Sequence, residues 1–206
     1  MQKDTNKTSM WTAANIVTMI RVVFIPVWLF VAMRAIPYDV YAQQGYSSTV
    51  SSSALFVAIF YMVLSLTDKL DGYLARSRNE VTTFGKFLDP IADKLIVMVA
   101  LMYLLYAGQV SIWVPCIIVA REFLVSGLRM VLASSGTVVA ASNLGKWKTA
   151  TTMLGICGLL LSYACYHSEF IALIYMLSNI LIWVAVILTI WSGVDYFVKG
   201  KEALKD

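Results

Sequence analysis

The stretch from Asp68 to Asp93, DKLDGYLARSRNEVTTFGKFLDPIAD, sets four aspartates (Asp68, Asp71, Asp89 and Asp93) at the border of apolar segments in a chain otherwise short of charge. Carboxylates near lipid depth are costly unless paired or bound to a cation. Asp68 and Asp71 are three residues apart and Asp89 and Asp93 four apart, so on helices each pair falls on one face. Two such helices can close their faces around a common centre. The ligand set is oxygen only, with no His or Cys nearby, which favours magnesium or manganese over zinc. One such aspartate alone reads equally well as a solvated group at a helix end. Four at this spacing do not.

The elements that must position these residues follow from composition. Hydrophobic residues make up 60% of the 206 and the mean hydropathy is +0.76, too apolar for an ordinary water-soluble domain. A spanning helix needs about 20 apolar residues. Apolar stretches at 11–33, 53–74, 90–107, 111–133, 147–166 and 170–195 predict an all-α integral membrane protein, with six transmembrane helices in a single membrane domain over 1–206. The first stretch contains Arg21 and runs past Pro26 to Met33 without a small-residue cleavage site, so it reads as a retained helix rather than a signal sequence.

Orientation follows from the basic residues. With both termini on one side, that side collects Lys3 and Lys7, then Arg76, Arg78, Lys86 and Lys94, then Lys146 and Lys148, and finally Lys199, Lys201 and Lys205. The opposite loops hold only Arg34 and His167. The positive-inside rule then places both termini and the aspartates on the cytoplasmic face of a bacterial-type cytoplasmic membrane. The basic face should attract anionic headgroups, and no nucleic-acid module is visible. The polar interval Ala35–Ser53 reads as an external loop. Pro90 is expected in the first turn of helix three, with Asp89 near that helix's N-terminus, where the dipole favours a carboxylate. Cys116, Cys157 and Cys165 are widely spaced and fit core packing rather than a metal pattern.

A second cluster is basic. Arg121 and Arg129 fall in helix four, Lys146 and Lys148 open helix five, and Arg21 lies in helix one. Intramembrane charges are functional or paired, because unpaired burial is expensive. Two readings stand: an anion site, or internal pairing of Glu122 with one of the arginines, Arg129 lying seven residues further on and sharing its helix face.

The aspartate segment fits the pattern D-x2-D-G-x2-A-R-x8-G-x3-D-x3-D at every specified position: Asp68, Asp71, Gly72, Ala75, Arg76, Gly85, Asp89 and Asp93. In this it resembles the CDP-alcohol phosphotransferase family. The resemblance implies that the four aspartates hold two divalent ions, Mg2+ or Mn2+. It also implies that Asp93 is the general base for the acceptor hydroxyl, with attack on the lipid-bearing phosphorus and departure of CMP. Metal ions bridging the donor's phosphates would neutralise charge during attack. Gly72 and Ala75, one helical turn apart, would let a pyrimidine or a phosphate approach the backbone, close helix packing being the alternative. Gly85 brings the chain back toward that pair, and Arg76 offers forked donors to a phosphate. These four form the expected set for the CDP-linked donor.

The flanks carry the resemblance over most of the chain, through Asn15, Thr18, Arg21 and Pro26, FGKFLDPIADK, Arg121-Glu122, Arg129, and AASNLGKWKT from Ala140 to Thr149. They are similar to members that take glycerol 3-phosphate. This implies that Arg121, Arg129, Lys146 and Lys148 bind the acceptor's phosphate and that Asn15, Thr18 and Arg21 are a further candidate pocket. CDP-diacylglycerol, glycerol 3-phosphate, membrane lipids and a second copy in a homodimer are the implied partners. The extended loop at 35–53 departs from the compact form expected. Other members with inositol phosphate, serine or phosphatidylglycerol as acceptor are the nearest alternative. A transporter would show corresponding broken helices, and a noncatalytic lipid-binding protein would not require all four carboxylates.

Overall fold

The computed structural model describes residues 12–35, 52–77, 83–134, 143–162 and 169–203. They form six helices: α1 (Ala13–Ala35), α2 (Ser52–Ser77), α3 (Thr83–Tyr106), α4 (Trp113–Ser134), α5 (Asn143–Ser162) and α6 (Glu169–Ala203). Each overlaps one of the apolar stretches. Local chemistry fixes several ends. Thr12 Oγ1 accepts the Asn15 backbone N–H at 3.3 Å, an N-cap for α1. After α3, Gly108 takes φ 70°, while Gly108 N–H donates to Leu105 O and Gln109 N–H to Leu104 O. That pair of bonds closes the helix in a Schellman turn, which favours glycine at the left-handed position.

Paired contacts give the helix directions. Trp28 Nε1 donates to Val57 O at 3.0 Å and Ser53 Oγ to Ala35 O at 3.4 Å, so the end of α1 meets the start of α2 and the two run antiparallel. Gly155 approaches Ile182 and Gly158 approaches Ser178, so residue numbers rise on α5 as they fall on α6. A Cβ on Gly155 would meet the Ile182 side chain at 2.8 Å; glycine here permits the close approach of α5 and α6. Gly193 lies against Arg121 and Gly200 against Leu128, which makes α4 and α6 parallel. Tyr103 near the end of α3 meets Ala32 near the end of α1, and Lys94 earlier on α3 shares a cavity with Lys148 near the start of α5, so the six helices alternate. The starts of α1, α3 and α5 and the ends of α2, α4 and α6 gather at one end of the bundle.

The core lies toward the other end and is centred on Trp28, which is fully buried. Its indole packs at 5.7 Å from the rings of both Tyr61 and Tyr103, and Tyr103 Oη donates to Ala32 O. The outer surface is apolar. Phe30, Phe123, Met130, Trp183 and Trp191 are exposed while Arg21 and Lys148 are buried, the inverse of a protein solvated by water. Two described segments, Asn15–Ala35 and Ile171–Gly200, are long and apolar enough to cross a membrane, and α2 contributes a shorter apolar run, Ser52–Thr67. The charges carried by α3, α4 and α5 interrupt comparable runs there.

Three expectations change. Helix α3 begins at Thr83, so Pro90 lies in its interior and Asp89 beyond its first turn. Helix formation proceeds through 83–89 despite the one intrahelical hydrogen bond that proline forfeits. Cys157 packs against the core as expected, but Cys116 is exposed. Most of the 35–53 loop, and His167 and Cys165, fall outside the described residues.

Candidate active site

The aspartate motif straddles two helices that pack on each other, with Asp68 and Asp71 in the C-terminal third of α2 and Asp89 and Asp93 in the N-terminal half of α3. Gly72, Ala75 and Arg76 follow on α2, and Gly85 lies in the first turn of α3. Side chains from 68 to 90 are outside the description, so of the motif only Asp93 is placed in full. The described side chains alone bring no three potential metal ligands together. Fit to a hard divalent cation rests instead on the donor chemistry: oxygen-only carboxylates at one-turn spacing on packed helices.

Asp93 is half-buried and lines a cavity of about 40 Å³ with Lys94, Glu122, Lys148, Thr149 and Thr152. Asp93 of the acidic motif and Lys148 of the basic cluster thus open onto the same space. Thr152 Oγ1 donates to Lys148 O at 2.8 Å and Thr149 Oγ1 to Gly145 O at 3.1 Å, back-bonds to the preceding turn. The positive charge at the cavity comes from the lysines.

Glu122 organises that charge. Its Oε1 accepts from Arg121 Nη1 at 3.1 Å and from Lys148 Nζ, and its Oε2 lies 3.8 Å from Lys94 Nζ. Lys94 also donates to Ser126 Oγ. One carboxylate on α4 therefore holds cations from α3, α4 and α5. The side chains of Arg121, Glu122 and Lys148 are 12%, 13% and 8% exposed, so these pairs are shielded from water and are not the weak ion pairs of a wet surface.

The expected acceptor residues divide. Arg121 and Lys148 meet at Glu122. Arg129 does not: it is exposed, its Nη2 donates to Tyr196 Oη at 2.5 Å, and its guanidinium carbon sits 4.9 Å from the Tyr196 ring centroid. Arg129 lies about 10 Å of rise along α4 from Glu122, and among the described residues the ion pairs of Glu122 are with Lys94, Arg121 and Lys148. Lys146 is exposed, turned away from Lys148 by the roughly 200° that separates i and i+2 on a helix. Asn15, Thr18 and Arg21 share the buried face of α1, and each has a polar or electrostatic partner within the protein.

Sequence reasoning left Lys94 and Tyr196 out of the site. Lys94 could have been found, as a charge inside an apolar helix directly after a motif aspartate. Tyr196 had no such signal: its ring lies 5.9 Å from the Arg121 guanidinium carbon as well, a relation that exists only once α6 runs beside α4.

A helical bundle, apolar outside and charged within, with Asp93 beside a cavity lined by lysines, suits an enzyme that handles phosphates at a lipid surface. The chain belongs to the CDP-alcohol phosphatidyltransferase family, whose sequence profile matches residues 11–191. It is 39% identical over 196 residues to the CDP-diacylglycerol–glycerol-3-phosphate 3-phosphatidyltransferase of Bacillus subtilis (strain 168), covering 95% of this chain and 98% of that one. The protein of the same name in Haemophilus influenzae (strain ATCC 51907) is 38% identical over 188 residues, 88% of this chain and 96% of the relative. That of Rickettsia bellii is 42% identical over 146 residues, 70% and 78% respectively.

Proposed function

We propose that this protein transfers the phosphatidyl group of CDP-diacylglycerol to glycerol 3-phosphate, giving phosphatidylglycerophosphate and CMP in phospholipid biosynthesis. The observation that carries the reading is the shared cavity, in which Asp93 of the acidic motif stands with Lys94 and Lys148 of the basic cluster. Relatives bearing that enzyme name align over nearly the whole chain.

In this reading the acceptor's phosphate sits on Lys148 and Arg121, which points its free hydroxyl toward Asp93. Asp93 takes the hydroxyl proton as the oxygen attacks the lipid-bearing phosphorus. A new P–O bond forms, the anhydride P–O bond breaks, and CMP leaves with the electron pair. Asp68, Asp71, Asp89 and Asp93 would hold Mg2+ or Mn2+, two ions per site, which supply charge neutralisation at the donor's two phosphates. Gly72, Ala75, Arg76 and Gly85 border the place of the CDP group. Six membrane crossings, with termini and site on the cytoplasmic face, agree with the alternating helices and the basic-residue asymmetry. The family resemblance adds a homodimer.

Purified protein given CDP-diacylglycerol, Mg2+ or Mn2+ and a panel of acceptors should release CMP and a phospholipid product with glycerol 3-phosphate but little with glycerol, serine or inositol phosphate. Chelation should stop the reaction. Preference for a neutral acceptor would return the chain to the wider family. In sealed cells, on a background lacking native cysteines, Gly45→Cys should be labelled from outside and Lys146→Cys spared; in detergent, cross-linking should give a dimer.

A further inference from the structure

We infer that Glu122 holds the place of the acceptor's phosphate: the cations that bind this phosphate are kept on the Glu122 carboxylate until a dianion displaces it. The inference rests on the reading above and adds to it a specificity-determining residue. Three cations, Lys94, Arg121 and Lys148, converge on one anionic group from three helices, which is the coordination a phosphate requires. The cavity beside them, about 40 Å³, holds a few water-sized spheres. A phosphorylated triol needs more room, and Lys148 and Arg121 already face the carboxylate.

Charge explains why a carboxylate should stand there. Three clustered cations, of which Arg121 and Lys148 are largely buried and Lys94 is partly exposed, would repel one another without a counter-ion, and desolvation would cost the two buried ones several kcal/mol each, so the acceptor-free protein needs an internal anion. With Glu122 included, the four side chains carry a formal charge of +2 (three cations less one carboxylate). The Asp93 carboxylate in the same cavity lowers this to +1, which still attracts a phosphate dianion. The cluster also has hydrogen-bonding capacity in reserve: Arg121 Nε is buried with no hydrogen-bond partner among the described residues, and an ammonium such as that of Lys148 carries three donors. A dianion with more acceptor oxygens than a carboxylate can draw the cations away from Glu122. A neutral polyol cannot, because its hydroxyls do not compete with a carboxylate for charged donors. Glu122 therefore sets a threshold that admits phosphorylated acceptors and rejects uncharged ones.

The test is Glu122→Gln, which keeps the shape and removes the competing charge, read in two ways. With CDP-diacylglycerol saturating, KM for glycerol 3-phosphate should fall about tenfold, equivalent to about 1.4 kcal/mol, while KM for the donor stays put. Without any reaction, inorganic phosphate should raise the melting temperature of Glu122→Gln more than that of the unaltered protein, since tighter binding stabilises more at equal concentration. Should Glu122→Gln fail to fold, Glu122→Asp, which retracts the carboxylate by one methylene, should show the same two changes in smaller measure. A raised KM together with weaker phosphate protection, in whichever variant folds, would overturn the inference and make Glu122 a scaffold for the cluster. The phosphate measurement is independent of turnover. If the unaltered protein refuses glycerol 3-phosphate but Glu122→Gln still gains phosphate protection, the proposed function fails and the placeholder stands; if the acceptor is used but protection is lost, the reverse holds.

Discussion

Trp28 and Glu122 each tie three helices together, by opposite means. Trp28, on α1, meets Val57 and Tyr61 of α2 and Tyr103 of α3 through packing and one indole hydrogen bond. Glu122, on α4, meets Lys94 of α3 and Lys148 of α5 through charge. Burying the indole is favourable in itself and leaves nothing to exchange with a ligand. Burying Glu122 and its cations carries a desolvation penalty that their mutual attraction has to offset, and the same charges can be redistributed when an anion arrives. One knot fixes the bundle; the other is poised for substrate. If that division is right, changes at the first should move stability without altering substrate affinity, and changes at the second should alter affinity or rate.

The largest effect belongs to the charged end. Asp93→Asn should lower turnover by about 10²–10⁴-fold, the range for a positioned base, or by more if metal is lost as well. Metal content measured beside turnover separates the two roles. Normal turnover at normal occupancy would remove Asp93 from the chemistry. Next comes Trp28→Ala, which empties an aromatic site in the core and should destabilise by about 3–5 kcal/mol. Thermal unfolding in detergent reads this, and the molecules that remain folded should keep their KM for both substrates. A shift in KM would show that the two knots are mechanically coupled and the division is false. Third is Lys148→Gln, which deletes a charge-assisted contact of about 1.5–3 kcal/mol. KM for glycerol 3-phosphate should rise by about 10- to 100-fold with the donor's KM little changed; equal weakening of both substrates would make Lys148 structural.

How much of this was legible in the sequence depended on whether the information was local. Helix positions followed from apolar run length, and the motif followed from spacing along α2 and α3, both properties of the chain itself. The start of α3 did not, because Pro90 looked like an N-terminal signal, yet the seven residues before it are helical; Gly85, Lys86 and Asp89 break the apolar run there and hid this. Arg121 and Lys148 were nominated from charge at membrane depth, and that reasoning works wherever charge is rare. It could not sort them from Arg129 and Lys146, because a count of charges carries no azimuth and no neighbour. That Glu122 could pair with one of the two arginines was legible, but the shared helix face pointed to Arg129 as readily as to Arg121. Glu122 pairs with the adjacent Arg121 and across to α3 and α5, a choice set by which helices stand beside α4.

The smallest expected effect lies at the boundary of the charged knot. Tyr196→Phe removes the hydroxyl that accepts from Arg129 at 2.5 Å and keeps the ring that both Arg121 and Arg129 face. Arg129 is exposed, so water can replace the lost acceptor, and the change should be about 0.5–1.5 kcal/mol in stability, with KM for glycerol 3-phosphate within about threefold of the unaltered value, equivalent to about 0.65 kcal/mol. Tyr196→Ala also removes the cation–π contacts, about 0.5–2 kcal/mol where the cation is desolvated, and frees Arg121 from the α6 side; its KM should rise further than that of Tyr196→Phe. The ordering is what matters. A Phe variant as impaired toward glycerol 3-phosphate as Lys148→Gln would mean that Arg129, held by the hydroxyl, reaches the acceptor after all, and that the substrate-responsive region extends from the Glu122 knot onto α6.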